Sequence, residues 1–227
     1  MAMVEEPNHA VCQQSLRRRP VLAVGIVLAA GAGRRLGRGP KALLTCDGEH
    51  LVDRAIAALR HGGCSDIIVV LGADAELVLT EASCAGAECV VNPEWSSGLS
   101  SSFRAGVARA ESMGIASAVP VVMAVVDQPG LTSALVRRAL THYAPEGIVA
   151  PLFDGQMGHP IVMSLATAHI AAAEASGDRG ARAYLRAHPE LVRYVDCTAV
   201  GDGRDVDTPA DLHLLGARRD PEQAAAD

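Results

Sequence analysis

The chain has 227 residues, a formal net charge of −6 and an aromatic content of only 3%. Such a chain offers neither the basic face nor the stacking platform of a general nucleic-acid binder, so no nucleic acid is expected as partner. No apolar run reaches the roughly 20 residues of a membrane-spanning helix, so no membrane is expected either.

This length suits one sizeable α/β core, and composition divides the chain into a polar tail over 1–20, a single domain over 21–216 and a charged, alanine-rich tail over 217–227. Arg17, Arg18 and Arg19 ahead of an apolar run mimic a secretory leader. Charge returns at Arg34, however, and nothing earlier supplies a first strand, so the expected location is the cytoplasm. The six cysteines (12, 46, 64, 84, 89 and 197) form no C-x-x-C pair, and several read as small core residues in a reducing compartment.

The run from Val24 to Ala30 predicts a strand buried on both faces, after which hydrophobic periodicity gives way to glycine and positive charge. Gly31, Gly33, Gly37 and Gly39 let the backbone approach a ligand, while Arg34, Arg35, Arg38 and Lys41 surround it with cations. Such a loop suits several phosphates. Gly31 to Gly37 is one residue too long for a dinucleotide fingerprint, and Gly39-Pro40-Lys41-Ala42 lacks the hydroxyl of a Walker A loop.

A polar turn at Asp47-Gly48 precedes a predicted helix from His50 to Arg60, closed by Gly62 and Gly63. Residues 66–71 form a second buried strand, Asp74 is placed to cap a helix through Leu79, and a third strand ends at Val91. This βαβαβ rhythm implies a mostly parallel sheet with ligands beyond the carboxyl ends of its strands. There lies Asn92-Pro-Glu-Trp-Ser-Ser-Gly98, followed by Ser100, Ser101 and Ser102 at a helix start. The serines either cap the helix or present hydroxyls and N–H groups to a nucleotide.

Residues 120–126 are the most hydrophobic strand, running directly into Asp127-Gln128-Pro129. A carboxylate at a buried strand tip needs a partner, for which a divalent metal or the N-terminus of a helix over 133–142 qualifies. Another strand covers 147–151, and Phe153 to Met163 reads as a hairpin turning at Asp154-Gly155 and carrying Gly158-His159-Pro160. After a helix over 164–175, Asp178 is expected to cap a helix at Ala183, and Arg179, Gly180 and Arg182 form a second anion site there. A late strand over 191–195 leads to Asp205-Val-Asp207-Thr-Pro-Ala-Asp211. Asp207 or Thr208 is the expected cap of a terminal helix begun by Pro209, which leaves Asp205 to face the site.

Leu28-Ala-Ala-Gly-x-Gly-x-Arg-x-Gly37 followed by Pro40-Lys41 resembles the nucleotidyltransferases of the MobA/MocA group. The segments at 92–102, 127–129, 158–160, 177–182 and 205–212 resemble the group's further motifs, in family order. The resemblance implies a three-layer α/β/α, Rossmann-like (GT-A-like) fold. It also implies catalytic roles for Arg35, Lys41 and Asp127, and Mg²⁺ held by Asp127 and Asp205, with Asp207 as the alternative. Nucleotide contacts fall to Leu28, Ala29, Ala30, Gly31, Ala32, Gly33, Arg34, Arg35, Lys41, Asn92, Gly98, Ser100, Ser101 and Ser102. Acceptor contacts fall to Gln128, His159, Asp178, Arg179, Gly180 and Arg182, although a lone histidine such as His159 is also a common structural residue.

Ala29-Ala30-Gly31 resembles the CTP-using MocA type more than the GTP-using MobA type, so the implied reaction transfers CMP from CTP to molybdopterin. GTP or a sugar or polyol phosphate remains open, as does a non-catalytic carrier of the cofactor. An apo molybdenum hydroxylase is the implied protein partner.

Overall fold

A computed structural model describes residues 23–216; the two expected tails, and Cys12, lie outside them. β1 (Val24–Ala29) is buried at every position, as its unbroken apolar sequence requires. The glycine loop follows, then a 3₁₀ turn at Lys41–Leu43 and a small ribbon of β2 (Thr45–Cys46) and β3 (Glu49–His50) around the expected Asp47-Gly48 turn. α1 (Leu51–Gly62) ends at Gly63, whose φ of 118° no other residue adopts cheaply. Next come β4 (Asp66–Leu71), α2 (Ala75–Glu81), β5 (Glu88–Val91), α3 (Leu99–Ser112), β6 (Pro120–Val125) and α4 (Ser133–His142). The chain continues through β7 (Ile148–Phe153), β8 (Gln156–Met157), β9 (Ile161–Ser164), α5 (Leu165–Glu174), α6 (Arg182–Ala187) and β10 (Val192–Asp196).

One eight-stranded sheet has the order β10-β7-β9-β6-β1-β4-β5, with β8 paired to β7. β1 runs parallel to both β4 and β6, while β9 lies antiparallel to β6 and β7. The segment expected as a plain hairpin therefore does more: after turning at Asp154-Gly155 it slots β9 into the sheet. Inward residues of β1 alternate between two cores. Val27 and Ala29 pack with α1, α2 and α4, whereas Val24, Ile26 and Leu28 pack with α3, α5 and α6. Phe103 of α3 fills the second core and is fully buried. The result is three layers, helices covering both sheet faces, as the sequence pattern implied.

Three capping expectations are corrected. Asp74 occupies the N-cap position of α2 with φ 51° but makes no side-chain cap bond. Asp178 does not cap α6, which starts from Ala181 without any side-chain cap; its carboxylate instead accepts from Leu99 N at 3.3 Å, at the start of α3. The terminal helix is 3₁₀ (Pro209–Gly216) and takes its acceptor from within, because Asp211 Oδ2 accepts from Asp207 N, Thr208 N and Thr208 Oγ1. Asp207 is not its cap, because the Asp207 carboxylate is taken up by Lys41 and Arg35. Thr132 does cap α4, accepting from Leu135 N, so Asp127 is not needed there.

Candidate nucleotide and metal site

A cleft of about 620 Å³ opens beyond the carboxyl ends of β1 and β6. On one side the glycine loop folds back on itself, with Leu36 N and Gly37 N both donating to Gly33 O. Gly33 has φ 59°, and a Cβ there would collide with Gly39 O, so the tight loop needs glycine at this point. Gly72 is equally constrained: a Cβ would strike Trp95 and Ala30, which close over it at the cleft wall.

Opposite the loop, Val206 N donates to Asp127 O at 2.8 Å and Asp202 N to Gly130 O at 3.2 Å, tying the 202–207 segment to the tip of β6. Asp205 and Asp207, two residues apart, thereby reach the same cleft as Asp127. Lys41 Nζ donates to Asp127 Oδ2 at 2.7 Å and to Asp207 Oδ1, and Arg35 Nη2 pairs with Asp207 Oδ2 at 3.0 Å. Burial alone would push the Lys41 ammonium down, but Asp127 and Asp207 outweigh it and its pKa is raised. The hydrogen bond from Lys41 holds the Asp207 carboxyl below its ordinary value. Asp205 is shifted the other way, raised first by desolvation and then by repulsion from Asp127, in spite of the 2.8 Å bond it accepts from Gln128 Nε2.

The far wall carries Asp178 to Arg182 and His159. Gly158 lies against the Phe153 ring, where a Cβ would come within 2.8 Å of Cε2, and this close approach seats His159. His159 is buried and, among the described residues, its Nδ1 has no hydrogen-bond partner. Burial, reinforced by the Arg182 charge, pushes its pKa down to about 4, so the imidazole is neutral at physiological pH.

Of the residues singled out in the sequence, Leu28, Ala30, Gly31, Ala32, Gly33, Arg34, Arg35, Lys41, Gly98, Ser102, Asp127, His159, Asp178, Arg179, Gly180, Arg182 and Asp205 line the cleft. Ala29, Asn92, Ser100, Ser101 and Gln128 are not among its lining residues, and each is occupied elsewhere. Ala29 faces the core under α1. Asn92 Nδ2 donates to Ser101 Oγ at 2.9 Å and Ser102 Oγ at 3.1 Å, and its Oδ1 accepts from Glu94 N. Ser101 donates to backbone at Glu94 and Gly98, and Ser100 to Gly177 O. Gln128 Nε2 donates to Gly203 O and Asp205. Trp95 and Asp207 line the cleft without having been named first for it. The D-x-D spacing was the available signal for Asp207, since alternate residues of an extended segment share a face.

The donor set fits a hard divalent cation. Asp127, Asp205 and Asp207 offer carboxylate oxygens, and Mg²⁺ or Mn²⁺ bound beside phosphates needs only one or two from the protein. Among the described residues no three or more His, Cys, Asp or Glu side chains are placed to hold a metal ion together, so at most two of these carboxylates would ligate it at once and the other ligands would come from water and substrate.

Residues 25–192 match the model of the MobA-like NTP transferase domain. The chain is 40% identical over 198 residues to nicotine blue oxidoreductase of Paenarthrobacter nicotinovorans, covering 84% of this chain and 95% of that one. Among solved structures, Rv0371c from Mycobacterium tuberculosis H37Rv is 28% identical with a TM-score of 0.71, covering 86% of this chain and 97% of that chain. Rv0371c has also been solved in complex with manganese, and that structure matches with 26% identity and a TM-score of 0.69 over 86% of this chain and 98% of the other. A nucleotidyl transferase from Methanothermobacter shares the fold, with a TM-score of 0.70 at 20% identity over 86% of this chain and 98% of that one. With residues 25–192, most of its length, matched, the chain belongs to the MobA-like NTP transferase family.

Proposed function

We propose that the protein is a CTP:molybdopterin cytidylyltransferase. The observation that carries this reading is the facing of Arg35 and Lys41 against Asp127, Asp205 and Asp207 across one cleft. An oxygen of the acceptor's terminal phosphate attacks the α-phosphorus of CTP in line; the new P–O bond forms as the bond to the β-phosphate breaks, and pyrophosphate leaves. That phosphate is already ionised at neutral pH, so no general base is required. Arg35 and Lys41 hold the β- and γ-phosphates and neutralise the charge of the leaving group, while Gly31 and Gly33 let backbone N–H groups approach. Asp127 and Asp205, with Asp207 beside them, would hold Mg²⁺, which when bound would supply charge neutralisation and Lewis acidity.

The methyl of Ala30, on the cleft lining, narrows the space for a base against a purine, favouring CTP over GTP by about 1–3 kcal/mol. Arg179 and Arg182 receive the acceptor phosphate, and neutral His159 faces the acceptor. The protein acts in the cytoplasm and hands its product to an apo molybdenum hydroxylase. Pyrophosphate release with Mg²⁺, molybdopterin and either CTP or GTP tests this reading. It requires release that depends on the acceptor and prefers CTP; tight cofactor binding without turnover would make the protein a carrier instead.

A second reading rests on the 40% identity to a protein named as an oxidoreductase. Oxidation of a reduced nicotinamide nucleotide by a conjugated aromatic acceptor, with no pyrophosphate released from CTP, would favour it.

A further inference from the structure

Lys41 has only 13% of its side chain exposed, and its ammonium is shared by Asp127 and Asp207, with Asp205 adding a third negative charge nearby. Its partner atoms, Asp127 Oδ2 and Asp207 Oδ1, are among the oxygens a divalent cation in this cluster would use. Arg35 is different: 74% exposed, it pairs with the other oxygen of Asp207. We infer that Lys41 is the built-in counter-ion of the carboxylate cluster, so that a divalent cation enters fully only when a triphosphate draws the ammonium away.

The physical reason is competition for the same oxygens. An ammonium and a divalent cation cannot share two carboxylate atoms without repelling each other, and an empty cluster of three carboxylates would be unfavourable. A triphosphate removes the conflict, because its oxygens accept the hydrogen bonds that Lys41 gives up. Metal and nucleotide then bind with positive coupling, each strengthening the other by the same factor. This coupling rests on the triphosphate substrate proposed above; the counter-ion role does not.

Mn²⁺ alone is the probe, its free concentration read by electron paramagnetic resonance and its retention on the protein by ultrafiltration. Wild type should bind Mn²⁺ weakly, and Lys41→Met should bind it about tenfold more tightly, within the roughly 5- to 150-fold range of ordinary coupling. Arg35→Met should tighten it less, and the double variant Lys41→Met/Asp127→Asn should lose the gain. CTP should increase Mn²⁺ retention by wild type more than by Lys41→Met. Mn²⁺ should also raise the melting temperature of Lys41→Met more than that of wild type; if Lys41→Met does not fold, Lys41→Gln serves for every arm.

Unchanged or weaker Mn²⁺ binding by the Lys41 variants, or an equal gain from CTP in both proteins, overturns the inference. If the variants tighten Mn²⁺ as expected but wild type releases no pyrophosphate with any acceptor, the counter-ion role stands and the transferase reading fails.

Discussion

Two polar clusters flank the cleft, and they are built in opposite ways. At the start of α3, Asn92 has its amide bonded to Ser101, Ser102 and Glu94 N, and the Ser100 and Ser101 hydroxyls donate to backbone carbonyls nearby. At the tip of β6, Asp127, Asp205 and Asp207 crowd together with one shared ammonium and carboxylate oxygens on the cleft surface. The first cluster is bonded mostly within itself and holds a loop to a helix. The second keeps like charges in one place, held by Lys41 and Arg35, side chains that an incoming anion can draw away. Polarity alone therefore does not mark a ligand site; what counts is whether the polar groups have already been used.

The contrast breaks most sharply if Asp127 is exchanged for Asn. Turnover should fall by on the order of 100- to 1,000-fold, the scale for losing one electrostatic contact to the transition state, while the melting temperature changes little. A single-turnover pyrophosphate assay with a parallel thermal melt checks both halves; activity within a few-fold of wild type would remove Asp127 from the site.

His159 sharpens the contrast through pH. Its pKa falls from an ordinary 6.5 to about 4 in the folded chain, so the folded state prefers the neutral ring. That preference, about 3 kcal/mol, is present in full above pH 6.5 and is lost as pH falls from 6.5 to about 4. Urea melts across this window should show that loss in wild type, and the loss should be smaller by about this amount in His159→Phe. Parallel pH curves for the two proteins would deny the buried histidine its effect.

Asn92→Ala tests the satisfied cluster. Leaving Glu94 N and the serine hydroxyls without their partner should cost about 2 kcal/mol of stability in urea melts, with turnover reduced only slightly. A large loss of turnover at unchanged stability would mean that the cluster contacts substrate after all. The smallest effect is expected at Arg182→Ala, where loss of one charged contact should raise the acceptor KM about tenfold and leave that for CTP alone. An effect confined to CTP would place Arg182 in the wrong subsite.

Local sequence was informative wherever backbone chemistry is local. Unbroken apolar runs marked β1, β4 and β6, and glycine with arginine marked the loop, because double-sided burial and positive φ leave direct compositional traces. The caps were harder to read. Asp178 and Asp207 each stand where a helix cap is plausible, yet Asp178 bonds Leu99 across 79 residues and Asp207 pairs with Lys41 across 166.

What the sequence by itself determined was the parallel α/β layering and the end of the sheet at which a phosphate ligand belongs, because both follow from periodicity and from strand-to-loop transitions. Only the tertiary structure decided which polar residues are spent on one another and which face the cleft. A hydrogen bond between distant segments depends on where the whole sheet brings them, and no local spacing records that.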